Sequence, residues 1–175
     1  MNVDKLREQL KIDEGVKYEI YNDHLGYATF GIGHLVVEGD QEHGQPVGTP
    51  VTEERVNSVF DSDVELYVKE AKKVFPNLDD LPEEAQQVIV NMCFNMGAPR
   101  LGKFKKFIGG VNSGDWNTAA IEMMDSRWAK QVGVRADRLR DRIKALAWVF
   151  NHLNDEKCKK QRDELNNSYM LYHTP

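Results

Sequence analysis

The 175-residue chain is poor in the residues that would suggest several common protein classes. It has two cysteines, too few for a disulfide scaffold: Cys93 lies in an apolar helical run and reads as a small buried hydrophobe, and Cys158 lies in a Lys-rich tail. No run of 18 apolar residues exists, so no membrane span is expected. The opening residues MNVDKLREQLKIDEG are too polar for a secretory signal, which leads us to expect a cytoplasmic protein. HExxH, CxxC, GxSxG and the phosphate-cradling GxxxxGK[ST] are all absent. Gly31-Ile32-Gly33 begins like a dinucleotide fingerprint, but position 36 is Val and the setting is a hairpin. Disorder is excluded by seven Phe, six Tyr and three Trp, enough to fill a core.

Charge is unevenly spread. The net −5 divides into −11 over residues 1–98 and +6 over residues 99–175. Ordinary solvated helix faces account for this, and a basic face toward a polyanion is the other reading. In the run Arg135, Arg138, Arg140 and Arg142, Asp137 and Asp141 interleave the cations, which favours a solvated face over a nucleic-acid surface.

The apolar periodicity defines the elements. Val3, Leu6, Leu10 and the neighbouring Ile12 predict a first helix closed by Gly15. From Val16 to Val37, aromatic and β-branched residues broken by Asn22-Asp23 and Gly26 predict a small antiparallel hairpin or meander. Residues 38–50 read as a polar loop. Thr52 caps a helix whose apolar stripe runs from Val56 to Val74 and stops at Phe75-Pro76. About 24 residues would make a rod of about 36 Å, a spine joining two lobes. The remainder reads as helical: an all-round apolar helix from Ala85 to Met96, a short segment over 104–108 ahead of Gly109-Gly110, a helix over 115–125, and a last one from about Arg135 to His152. Trp128 and Trp148 read as core residues.

Carboxylates are the candidate chemistry. Glu14 stands at the negative end of the first helix, where the macrodipole disfavours ionisation and favours the protonated form that a general acid needs. Asp23 lies in a polar turn, where a carboxylate stays charged, and Thr29 returns on the next strand with a hydroxyl able to hold water. Two carboxylates in contrasting surroundings are the machinery of glycoside hydrolysis.

The segments Ile12-Asp13-Glu14-Gly15, Ile20-Tyr21-Asn22-Asp23 and Gly26-Tyr27-Ala28-Thr29-Phe30-Gly31-Ile32-Gly33-His34 resemble the signature of the phage-type (T4-like) lysozymes. Phe60 with Asp63-Val64, the run from Asn91 to Gly97, Ser126-Arg127-Trp128, Arg135-Ala136 and Trp148 follow in the family's order. The resemblance implies an α+β, predominantly α fold with two lobes. Its catalytic domain would cover 1–154, with a β-containing lobe about 13–60, a helical lobe from 1–12 and about 75–154, a connecting helix about 52–75, and a C-terminal extension over 155–175. It also implies a muramidase that cleaves the β-1,4 bond between N-acetylmuramic acid and N-acetylglucosamine in bacterial peptidoglycan, with no metal and no cofactor.

On this resemblance Glu14 is the general acid, Asp23 positions water on the opposite sugar face, and Thr29 assists that water. An inverting course would set the carboxyl groups roughly 6.5–9.5 Å apart. Leu35 and Phe94 match residues lining the saccharide cleft. Arg135 matches an arginine that approaches the acid and would oppose the helix-end effect. Expected partners are glycan strands alone, without nucleic acid or membrane insertion, and a monomer is expected. The protein would wait in the cytoplasm and act at the cell wall. His34 reads as structural, with Asp63 as its candidate partner. A lytic transglycosylase and a wall- or membrane-binding protein with a dead site are the alternatives. The sequence departs from the family at Phe107 and Glu122, at Leu25 beside the hairpin, and in the loop over 38–51. The tail beyond Trp148 is also longer, and Tyr169 to Tyr172 are expected to pack on the helical lobe.

Overall fold

The computed structural model describes residues 1–150 together with 152 and 160, so the C-terminal extension, Cys158 and the packing of Tyr169 to Tyr172 lie outside the described residues. The fold is α+β and mostly helical, with one small antiparallel sheet. The chain forms two compact units, Met1–Lys103 and a second that begins at Phe104.

In the first unit, helix α1 (Val3–Glu14) is capped by the Asn2 side chain, which accepts the Lys5 N–H at 3.0 Å. At its end the Gly15 N–H donates to the Lys11 carbonyl at 3.0 Å. Leu6 and Leu10 are fully buried. Ile12, predicted near their stripe, is exposed, because two residues turn it about 200° around the helix from Leu10. Val3, the first helical residue, is also exposed.

The predicted meander is a three-stranded sheet, β1 (Lys17–Asn22), β2 (Ala28–Gly31) and β3 (His34–Leu35), in the order β1-β2-β3. Tyr21 pairs with Thr29, Thr29 with Leu35 and Phe30 with His34. Ile20 and Phe30 are fully buried, and alternation places Tyr21, Thr29 and Leu35 in one row on the other face. The polar loop returns along β1. The Gly48 N–H donates to the Ile20 carbonyl at 2.8 Å and the Val51 N–H to the Tyr18 carbonyl at 2.9 Å, so that edge is not left bare.

Thr52 caps α2 (Glu53–Val74) as predicted, its hydroxyl accepting the Arg55 N–H at 3.2 Å. A 3₁₀ turn (Leu78–Asp80) leads to α3 (Glu83–Met96), buried on nearly every side as its apolar pattern predicts, and α4 (Ala98–Leu101) closes the unit. Cys93 is buried within α3, and burial pushes its thiol up to about 12.

The second unit holds α5 (Lys105–Ser113), α6 (Trp116–Met124), α7 (Arg127–Val132) and α8 over residues 134–150. Sequence reading ends the first of these before Gly109-Gly110, but the helix runs through both. Gly110 is a contact site: a Cβ there would come within 2.8 Å of the Ala119 backbone nitrogen on α6. The apolar pattern does not announce α7, yet Ser126 caps it by accepting the Ala129 N–H at 3.0 Å. Leu139, Ile143 and Leu146 form the predicted stripe of α8 and are buried. Trp148 is not core: it is 64% exposed, because it lies two positions, about 200°, from Leu146.

Candidate active site

Glu14 is the last residue of α1, and its orientation follows from its neighbour. Asp13 accepts a hydrogen bond from the buried Asn91 amide of α3 at 2.7 Å, which fixes the helix end. Glu14, one residue on, meets the turn between β2 and β3. A Cβ on Gly33 would sit 3.3 Å from Glu14 Oε2 and 3.6 Å from its Cδ, and Gly33 holds φ +72°, a conformation L side chains rarely adopt. The backbone of this turn therefore serves as a close wall for the Glu14 carboxyl group.

Asp23 is held by its own turn. Its Oδ1 accepts the Leu25 N–H at 2.8 Å and the Tyr27 N–H at 2.9 Å, while its own N–H donates to the Tyr27 carbonyl at 2.9 Å. One carboxylate oxygen is thus occupied structurally, and among the described residues none donates a hydrogen bond to Oδ2. Thr29 is buried, and its hydroxyl donates to the Tyr27 carbonyl at 3.0 Å, so its lone pairs remain able to accept. Asp23 directly follows the last residue of β1, and its bonds to Tyr27 hold it to the residue that precedes β2, the strand that carries Thr29. Tyr21 links these groups electrostatically: burial, then the charges of Glu14 and of Asp23, raise the pKa of its phenol and keep it neutral. The Lys17 ammonium lies 4.0 Å from the centre of the same ring.

The other predicted residues divide. Leu35 is 48% exposed at the edge of the row. Phe94 is only 8% exposed, packed against Phe60 (ring centroids 6.1 Å) and Tyr67 (4.8 Å). Arg135 is buried near the start of α8, in the second unit. Among the positions of departure, Phe107 is buried and Glu122 pairs with Lys106 at 3.4 Å.

His34 has the predicted partner and a second one. Its Nδ1 lies 2.8 Å from Asp63 of α2 and its Nε2 lies 3.1 Å from Asp40 of the loop. Burial opposes charge on the ring, but the hydrogen bonds and charges of the two aspartates outweigh it and raise the His34 pKa. Asp40 also accepts the Val37 N–H at 2.8 Å and pairs with Arg55, which grips Glu42 through two hydrogen bonds at 3.0 and 2.8 Å. Burial works against the charge on Asp40, but these donors hold its carboxyl below the usual range; the Arg55 hydrogen bonds do the same for Glu42. The polarity of residues 38–50 predicts only a loop and does not reveal the roles of Asp40, Glu42 and Arg55. The alternation of acids ahead of a basic residue in the first turn of α2 was the available signal.

The geometry of a helix-end glutamate facing a glycine turn, with an aspartate and a threonine on one small sheet, can be set beside known proteins. The family model described as phage lysozyme matches residues 11–145. The chain is 30% identical over 159 residues to the probable T4-type lysozyme 2 of Dictyostelium discoideum, an alignment covering 78% of this chain and 92% of that protein. It is 29% identical to the probable T4-type lysozyme 1 of the same organism, with the same coverage. It is also 30% identical over 152 residues to the pre-baseplate central spike protein Gp5 of Enterobacteria phage T4, covering 77% of this chain and 26% of that protein.

These matches define the class as a glycoside hydrolase of the lysozyme type. The chain belongs to the phage lysozyme family.

Proposed function

We propose that the chain hydrolyses the β-1,4 bond between N-acetylmuramic acid and N-acetylglucosamine in peptidoglycan. Glu14 transfers its carboxyl proton to the bridging oxygen as the bond from that oxygen to the anomeric carbon breaks. Water held between the Asp23 Oδ2 and the Thr29 hydroxyl attacks the anomeric carbon from the opposite face, and its proton passes to the Asp23 carboxylate. The product is an inverted hemiacetal and a free sugar hydroxyl.

The observation that carries this reading is the arrangement around Tyr21: Thr29 is its cross-strand partner, Asp23 follows two residues on with its carboxylate tied to the Tyr27 N–H, and the Tyr21 phenol, half-buried, lies in the field of both Glu14 and Asp23. The division of labour within Asp23 supports it, because one oxygen is fixed by two backbone donors and the other is left for a water. Leu35, exposed on the same row, is placed to offer apolar surface to a sugar.

The test is the digestion of purified peptidoglycan by the wild-type chain and by Glu14→Gln. Reducing muramic ends are expected from the wild type, and loss of general acid catalysis should lower turnover by about 10²–10⁴-fold in the variant. Products ending in 1,6-anhydro sugars would indicate intramolecular attack and overturn the role of Asp23. Undiminished release by Glu14→Gln would overturn the role of Glu14.

A further inference from the structure

Resting on that glycan-cleaving reading, we propose that Tyr67 of α2 is a further substrate-contact residue, whose ring, seated on Phe94, carries the apolar face of a sugar beside Glu14. A saccharide ring offers an oriented patch of C–H groups on one face and hydroxyls around its rim. Proteins that hold it meet that patch with an aromatic ring and the rim with hydrogen-bonding groups. Phe94 has too little surface to serve as that ring, since only 8% of it is exposed. Its surface is spent on Phe60 and on Tyr67, whose centroid is 4.8 Å away at an interplanar angle of 49°.

Tyr67 is half-buried: its ring packs on Phe94 and part of the residue reaches solvent. It follows Asp63 by one helical turn on α2, the residue that pairs with His34 of the sheet. Its place near the acid follows from the packing: Phe94, on which it sits, lies one turn after Asn91 on α3, and the Asn91 amide bonds Asp13, the neighbour of Glu14; in keeping with this, burial first and then the charges of Asp63 and Glu14, among others, raise the phenol pKa. A neutral hydroxyl beside several acids is a hydrogen-bond donor, and among the described residues none accepts from it. It is therefore available to a sugar oxygen or an acetamido carbonyl. In the sequence Tyr67 is one position of an apolar helical stripe, and only its contact with Phe94 and its place in the field of Glu14 distinguish it.

The test uses the full chain in an inactive Glu14→Gln background, so that binding is read without turnover. Sedimentation with purified peptidoglycan should show a loss of affinity of roughly five- to tenfold for Tyr67→Leu. Tyr67→Phe, which keeps the ring, should stay within about twofold. Equal binding by the Glu14→Gln protein with and without Tyr67→Leu would overturn the proposal, as would a loss with Tyr67→Phe as large as with Tyr67→Leu. Should Tyr67→Leu fold poorly, the chain labelled with fluorotyrosine keeps the question open to experiment. The Tyr67 resonance, assigned with Tyr67→Phe, should shift on adding an N-acetylglucosamine oligomer, and a resonance that stays fixed while others move would overturn the proposal. A Glu14→Gln protein that binds no glycan at all would defeat the cleavage reading together with this one, whereas indifference to Tyr67→Leu defeats this one alone.

Discussion

Replacing His34 with Asn removes the group on which two acids from different elements converge. The Asn side chain has its donors on a single nitrogen and cannot reach both Asp63 and Asp40, which lie 2.8 and 3.1 Å from opposite sides of the imidazole. Removing one partner of a fully buried ion pair costs about 3–5 kcal/mol. Here solvent still reaches 16% of the His34 side chain and 13% of Asp63, so screening places the loss at about 2–3 kcal/mol. At the size of this chain that lowers Tm by roughly 4–12 °C. The dependence on pH identifies the cause. His34 has a raised pKa in the folded state, so its contribution is full below the unfolded value of about 6.5 and disappears as pH rises through the folded value. Asp40 has a depressed pKa, so its contribution is full above about 4 and disappears as pH falls through the folded value. Denaturant titrations of wild type and His34→Asn from pH 3 to 9 should show the largest difference between about pH 4.5 and 6.5, narrowing on both sides. A difference that is flat across this range, or largest at pH 9, would refute the reasoning.

Other substitutions test separate parts of the fold. Gly33→Ala places a methyl 3.3 Å from the Glu14 carboxyl oxygen in a left-handed conformation; lysis rates should fall by about 10²-fold, with a stability loss of about 1–2 kcal/mol by thermal melting. Gly110→Ala forces α5 and α6 apart where a Cβ would lie 2.8 Å from the Ala119 nitrogen, and should cost about 1–3 kcal/mol by urea denaturation. Arg55→Ala strips Glu42 and Asp40 of a shared cation; the loss, about 2–3 kcal/mol at neutral pH, should shrink as pH falls through the depressed values of the two acids.

What was legible in the sequence was what short-range spacing dictates. Glu14, Asp23 and Thr29 span 16 residues of one helix end and one hairpin, so a local pattern could place all three. Thr52 was legible as a cap from its residue type ahead of two acids, whereas Asp63 as the partner of His34, 29 residues away, came from the family resemblance. Asp40 was not, because nothing in a loop's polarity says which acid turns inward. Gly110 shows the limit of residue-type rules, since the same absence of a side chain that ends one helix lets another helix approach it. Ile12 and Trp148 failed for a common reason: each is apolar, but each lies about 200° around its helix from a buried residue, Leu10 and Leu146 respectively.

The pair Asp13 and Glu14 divides its labour by angle alone. Successive residues of a helix point about 100° apart, so one acid turns to Asn91 and serves as an anchor while the next turns to the Gly33 wall. Phasing, more than composition, thus decides which carboxyl group meets the glycine turn. One residue inserted within α1 would swing the anchor's neighbour away and disarm the site, with both acids still present.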